Sequence, residues 1–135
     1  MTVQWSTTLR NALLDQIETT IGTSAKIFIR TGAQPSDCSQ ADSGTLLAEF
    51  DLASDWASNA AAGSKALSST PISTTAVASG TAGHYRIKDS AGTTCHEQGS
   101  VTATGGGGDA TIDNTSINNG QTVQITSWTK TAPGA

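Results

Sequence analysis

The chain contains few charged residues, and basic residues are the scarcer kind. Charged side chains make up 13% of its 135 residues, and 7 Lys and Arg stand against 11 Asp and Glu, which leaves a formal net charge of −4. Direct binding of nucleic acid or anionic lipid requires clustered positive charge. The composition therefore predicts no direct contact with nucleic acid and none with a membrane.

Long apolar segments are also missing. No stretch approaches the roughly 20 apolar residues that a membrane-spanning helix needs. The N-terminus, MTVQWSTTLRNALLDQ, has no basic region followed by an apolar region, as a secretory signal would have. We therefore expect a protein that is made in a cytoplasm without Sec export.

Cysteine is scarce as well. The 2 cysteines, Cys38 and Cys95, are too few for a disulfide scaffold and lack the spacing of a zinc or redox motif. Two interpretations stay open. They are either two reduced thiols, or they form one disulfide after the polar loop around Cys38 folds back onto the strand of Cys95.

Aromatic residues make up only 4% of the chain. Its largest apolar side chains are Trp5, Trp56 and Trp128, and each lies outside or at the end of a periodic segment. Such residues either close the ends of a β-sandwich or anchor a protein interface, where tryptophan is enriched. All three tryptophans are therefore candidate interface residues.

One amphipathic helix is predicted near the start of the chain, over about residues 7 to 21. Its apolar residues recur every four positions, and they are Leu9, Leu13, Ile17 and Ile21, with Leu14 beside them. Ser6, Thr7 or Thr8 is a suitable N-cap, and Gly22 suits the C-terminal end. The apolar stripe packs either on its own sheet or on a neighbouring subunit, so Leu9 and Leu13 join the candidate interface residues.

After the helix the apolar period changes to two, which is typical of half-buried strands. The alternation predicts strands over residues 25–30 and 46–52, separated by a long polar surface loop over 33–44. Asp-Ser-Ala-Gly predicts a hairpin between residues 84–89 and 93–98, and Asn118-Asn119-Gly120 predicts another between Ile117 and Val123.

The segments add up to roughly seven or eight short strands after one helix. They predict a single, mainly β domain over residues 1–135, of the β-sandwich or jelly-roll-like kind, with its β part at about 25–128 and a short C-terminal tail.

Residues suitable for catalysis are present, but they do not form a recognised pattern. The candidates are His84, His96, Cys38, Cys95, Asp89 and Glu97. Cys95 and His96 are neighbours in a predicted strand, so their side chains should project to opposite faces. The four glycines at 105–108 lack the Lys-Ser/Thr of a phosphate-binding loop. We predict no enzymatic activity, no metal site and no cofactor.

Five segments together resemble a known group of proteins. They are LRNALLDQIETTIG, KIFIRTGAQPS, GTLLAEFDL, YRIKDSAGTTCHEQGSV and DNTSINNGQTVQITSWT. Their order and content resemble small proteins encoded among the head genes of tailed phages, several of which look like capsid decoration or cement proteins. The resemblance covers nearly the whole chain.

The resemblance implies a virion protein that sits in many copies on the capsid and bridges adjacent major capsid subunits. Its expected partners are the major capsid protein and copies of itself, and an oligomeric or lattice-bound state is implied. Two alternatives stay open because fold alone does not determine function. One is a tail, neck or head-fibre protein, and the other is a carbohydrate-binding β-sandwich module.

Overall fold

The computed structural model describes residues 3–134, and the described chain forms one helix and nine strands. In chain order the elements are α1 (Thr7–Ile21), β1 (Lys26–Thr31), β2 (Leu46–Asp51), β3 (Ser64–Ala66), β4 (Ile72–Thr75), β5 (Gly80–Lys88), β6 (Cys95–Ala103), β7 (Ala110–Ile112), β8 (Ser116–Ile117) and β9 (Thr122–Thr131). The prediction of a mainly β protein with one N-terminal helix is confirmed.

The ends of α1 are set by local hydrogen bonds. The hydroxyl of Ser6 accepts a hydrogen bond from the backbone N–H of Leu9 at 3.1 Å and so caps the first turn. Gly22 follows the last turn with a φ of 93°, and its N–H donates to the carbonyl of Glu18 at 2.9 Å. These bounds confirm the helix that the apolar period predicted.

The strands form a curled mixed sheet in the order β2-β1-β5-β6-β7-β9-β3, while β4 pairs with β9 and β8 with β5. Of the pairings in the described chain, β6 with β7 is parallel and the others are antiparallel. The sheet curls back on itself, since Val77, just after β4, donates its N–H to the carbonyl of Leu47 in β2 at 2.8 Å. This curvature encloses the core, as in a sandwich or jelly roll.

The core lies inside the curled sheet and follows the predicted alternation. Ile27 and Ile29 of β1 are almost completely buried, as is Phe50 of β2. Trp56 and Trp128 meet at the centre, with ring centroids 5.7 Å apart and planes tilted by 60°. Such tilted aromatic pairs add attraction beyond the area that they bury.

The two predicted hairpins have different outcomes. β5 and β6 pair in antiparallel register, with Ile87 opposite Glu97, which confirms the first hairpin. The second is wrong as a strand pairing: the chain turns where Gln121 N–H donates to the Asn118 carbonyl at 2.9 Å, but β8 pairs with β5 and not with β9. The start of β9 pairs with β4 instead, with Thr74 opposite Val123.

The C-terminal tail is held against the start of the chain. β9 continues past Trp128 to Thr131, and the N–H of Ala132 donates to the carbonyl of Gly63 at 3.0 Å. Trp5 donates its backbone N–H to the carbonyl of Gly134 at 2.7 Å. The tail and the segment before α1 therefore lie side by side.

Candidate functional site

The helix packs on its own domain with a polar side, which begins at Arg10. The Arg10 side chain is only 8% exposed, and its Nε and Nη2 both donate to the carbonyl of Ala132, at 3.1 and 2.9 Å. The guanidinium lies directly on the backbone of Gly63, where a Cβ would come within 2.3 Å of its central carbon. Arg10 therefore fastens the first half of α1 to the C-terminal tail.

Lys65 of β3 fastens the second half of α1. Its side chain is completely buried, and its Nζ donates to Asp15 at 2.9 Å, to Glu18 at 3.2 Å and to the carbonyl of Ser58 at 2.9 Å. The hydrogen bond from Lys65, joined by one from the N–H of Ala60, holds the pKa of Asp15 below its usual value. We call Arg10, Leu14, Asp15 and Glu18 the inner face of α1.

The opposite side of α1 is exposed and carries two leucines among polar residues. Leu9 and Leu13 are each 45% exposed, although they belong to the apolar stripe that predicted the helix. Gln16 and Thr20 share this side, and the Gln16 amide donates to the Thr20 hydroxyl at 3.1 Å. We call these four residues the outer face of α1.

Exposed apolar side chains concentrate at the start of the described chain. Of its five large hydrophobic side chains classed as exposed, four lie between Val3 and Leu13: Val3, Trp5, Leu9 and Leu13. The fifth, Val77, follows β4. Scattered exposed apolar residues are common on monomers, whereas a contiguous patch of them marks an interaction surface.

A groove of about 270 Å³ runs between α1 and β6 beside the outer face. Leu13, Ile17 and Ile21 supply its apolar wall, and His96 and Glu97 supply a polar one. It combines apolar and polar side chains in the way that the core and rim of protein interfaces do.

Glu97 is held in place by three neighbours. It accepts hydrogen bonds from the Tyr85 hydroxyl and from the Trp128 Nε1, both at 2.7 Å, and Lys130 lies 3.5 Å away. Burial, together with the negative charge of Glu97, raises the pKa of Tyr85 far above its usual value. The phenol therefore stays protonated and donates to Glu97.

Two of the three candidate tryptophans do not lie at a surface. Trp56 and Trp128 are each 1% exposed, and their ring N–H groups donate to the Gly22 carbonyl at 2.9 Å and to Glu97. A buried indole with its N–H satisfied is stable in a core, so their assignment as interface residues is corrected to core residues. Trp5, at 39% exposure, is the exposed aromatic side chain of the described residues.

The two cysteines are brought together. Cys38 lies in the polar loop between β1 and β2, Cys95 begins β6, and their sulfur atoms are 3.2 Å apart. Both are free thiols and both are half-buried. Burial, and next the contact with Cys38, raises the pKa of Cys95 to about 11.

The candidate catalytic residues do not converge. His84 is 1% exposed and its Nδ1 donates to the Gly32 carbonyl at 2.9 Å, while Asp89 accepts from the N–H of Thr93 within the turn after β5. No group of three or more His, Cys, Asp or Glu suited to hold a metal occurs within residues 3–134. No described helix is long and apolar enough to cross a membrane.

Comparison with known proteins found no matching family model, no matching curated protein and no matching solved structure. The resemblance to phage head proteins is therefore a prediction on which these comparisons do not bear.

The residues that hold α1 in place were missed by sequence reasoning. In the sequence, Arg10, Asp15 and Glu18 lie outside the apolar period that predicts the helix, and Lys65 stands in a stretch rich in small and polar residues. A signal was present, because Asp15 and Glu18 are three residues apart and so share one side of a helix. That spacing does not identify the cation that pairs with the two carboxylates, because Lys65 is distant from α1 in the sequence.

Proposed function

We propose that this protein is a virion structural protein of a tailed phage, a capsid decoration or cement protein, and that it attaches to major capsid subunits through the outer face of α1. The observation that carries the proposal is the orientation of the helix. Its polar inner face is already bonded to its own domain, while Leu9 and Leu13 stay in contact with water.

The energetic argument concerns the exposed leucines. Burying a leucine fully stabilises by roughly 1.5–3 kcal/mol, so two leucines that are each 45% exposed retain a substantial part of that free energy for a partner. The groove beside them gives a partner side chain a place to insert. An interface of this kind needs no conformational change in the helix, because the inner-face contacts hold it in position.

The assignment to the capsid comes from the sequence resemblance, and the geometry supports an attachment surface. The Ser/Thr-rich, acidic composition is compatible with a protein displayed on a particle, since such surfaces stay soluble. Copies of the chain are expected to meet on the lattice as well as to contact the major capsid protein. A tail, neck or head-fibre position would use the same outer face.

The carbohydrate-binding alternative gains no support from the geometry. Sugar recognition commonly uses several exposed aromatic rings, and here Trp56 and Trp128 are enclosed in the core, which leaves Trp5 as the exposed aromatic side chain of the described residues.

The test is binding to capsids assembled, without this protein, from the major capsid protein of the same genome. The double variant Leu9→Asp/Leu13→Asp is compared with Val77→Asp, a matched control that places the same charge on another exposed apolar site. Sedimentation should show wild type and Val77→Asp bound, and the double variant about 100-fold weaker, from about 2.7 kcal/mol of lost burial.

Equal binding of the double variant would exclude the outer face as the attachment surface. No binding of wild type to any capsid, combined with antibody labelling of tails in electron micrographs, would move the protein to the tail. Specific binding of the isolated protein to a glycan array would favour the carbohydrate-binding alternative instead.

A further inference from the structure

The polar loop that carries Cys38 is pinned by a buried arginine. Arg86 of β5 has a side chain that is 2% exposed, and its Nη atoms donate to the carbonyls of Cys38 at 2.9 Å and Gln40 at 3.0 Å and to the carboxylate of Asp42. Gln98 of β6 donates to the Pro35 carbonyl at 2.7 Å. The loop is therefore held on both sides of Cys38.

This anchoring presents the two sulfur atoms to each other. They lie 3.2 Å apart although 57 positions separate the residues in the chain. The loop has no secondary structure of its own to hold Cys38 there, so the position follows from the bonds of Arg86 and Gln98. An approach of roughly 1 Å would bring the sulfurs to bonding distance.

We propose that Cys38 and Cys95 are a preset thiol pair that closes to an intramolecular disulfide when the protein meets an oxidising medium, and that the bond locks the loop of residues 32–45 onto β6. The reduced form is the one expected inside a cytoplasm. The proposal is independent of how the protein attaches to a partner, because neither cysteine belongs to the outer face of α1.

The oxidant is a small aliphatic disulfide, and the bond forms by two exchange steps. The thiolate of Cys38 attacks one sulfur of that disulfide, whose S–S bond breaks, and one small thiolate leaves. The thiolate of Cys95 then attacks the sulfur of Cys38 in the mixed disulfide, and the second small thiolate leaves. The two cysteine protons pass to the two leaving thiolates, and the two electrons end on these small thiols.

The order of the steps follows from the surroundings of Cys95. Because burial raises its pKa to about 11, Cys95 is almost wholly protonated near neutral pH and is a poor first nucleophile. Closure of the mixed disulfide should therefore speed up as the pH rises.

The lock replaces weaker contacts. In the reduced protein the loop is also held through Asp42, which lies between Arg86 and Lys88 and accepts from the Lys88 Nζ at 2.7 Å. Burial acts to raise the pKa of Asp42, but hydrogen bonds from Lys88 and Arg86 outweigh it, so the pKa is lowered overall. These ionic contacts weaken when acid protonates Asp42, whereas a disulfide does not.

The experiment uses the full chain, reduced, freed of reductant and incubated with excess oxidised glutathione at about pH 8. Alkylation followed by mass measurement should find no free thiol in monomeric wild type after oxidation, and two free thiols after reductant is restored. The variant Cys95→Ser should stop at the glutathione adduct on Cys38. The melting temperature of the oxidised protein should exceed that of the reduced protein by roughly 10 °C.

Two alkylated thiols in oxidised wild type would overturn the proposal, and so would a disulfide found between two chains. An oxidised monomer with an unchanged or lowered melting temperature would overturn the lock. Cys38→Ser and Cys95→Ser each replace only one half-buried sulfur, so both variants should fold. Circular dichroism verifies this before the thiols are counted.

Discussion

The two sides of α1 depart from the arrangement that is usual for a helix packed on a sheet. An amphipathic helix normally buries its apolar stripe and exposes its charges. Here the inner face buries Arg10 and brings Asp15 and Glu18 against the buried Lys65, whereas the outer face leaves Leu9 and Leu13 exposed. The apolar stripe is split, since Leu14 and Ile21 are buried.

The difference between the two faces indicates that one side of the helix serves folding and the other is free for binding. The inner face holds α1 by directional bonds to β3 and the C-terminal tail, and such bonds fix the position of a helix more narrowly than apolar contact does. The outer face makes few contacts within the chain. Substitutions on the inner face should therefore change folding stability, and substitutions on the outer face should change binding.

Among substitutions that test the inner face, Lys65→Ala is expected to cause a large loss of folding stability. The change leaves Asp15 and Glu18 without their cation and the Ser58 carbonyl without its donor. Removing one partner of a buried ion pair costs about 3–5 kcal/mol. Since both carboxylates reach water here, we expect about 2–4 kcal/mol less stability in urea unfolding.

Lys26→Ala is the matched control, because Lys26 also pairs with two carboxylates, Glu49 at 3.1 Å and Asp51 at 2.8 Å, but its side chain is 25% exposed whereas that of Lys65 is completely buried. Its loss should be much smaller than that of Lys65→Ala. Equal losses for the two lysines would contradict the role assigned to the inner face.

Neighbouring leucines offer a sharper comparison, with an effect of similar size at the buried position. Leu14 is 5% exposed and Leu13 is 45% exposed, and the same truncation can be made at both. Leu14→Ala should cost about 2–4 kcal/mol, because it opens a cavity in a buried site. Leu13→Ala should change stability by about 0.5 kcal/mol or less. Chemical denaturation of the two variants measures the contrast, and similar losses would mean that the outer face is buried in solution.

Local sequence signals predicted the elements better than they predicted their partners. The four-residue period and Gly22 gave both ends of α1, and the alternation from Ala25 to Ile29 identified β1 and its core-facing side. These features depend on residues close together in the chain. The hairpin expected at Asn118-Asn119-Gly120 failed because turn chemistry reverses the chain without choosing which strand pairs with the next one.

The candidate site shows the same limit. Leu9 and Leu13 lie opposite the side of α1 that is bonded to Lys65, and Lys65 is 50 positions from Asp15 and 47 from Glu18 in the chain. The same is true of the cysteines: composition leaves both a pair of reduced thiols and a bridge open, and the contact follows from Arg86 holding the loop. Long-range charge pairing of this kind has no periodic signature in the sequence.

The smallest expected effect is a pH dependence of the inner face that comes from Asp15. Its pKa in the folded protein lies below its usual value, chiefly because Lys65 donates to the carboxylate. A carboxylate with a depressed folded pKa stabilises the fold fully above its unfolded pKa of about 3.9 and loses that contribution as the pH falls through the folded pKa. Wild type should therefore lose stability on acidification partly through Asp15.

Asp15→Asn keeps an oxygen that can accept from Lys65 and from the N–H of Ala60, so it removes the titration while preserving the shape of the contact. The melting temperatures of wild type and Asp15→Asn, measured from about pH 6 down to about pH 3, should converge. That of the wild type should fall more steeply with pH than that of the variant. Because other carboxylates titrate in both proteins, the difference between the two curves is the quantity to follow. Asp55→Asn, at an exposed position, should leave the wild-type slope unchanged. Parallel curves for wild type and Asp15→Asn would mean that the pairing with Lys65 contributes nothing to the stability of the inner face.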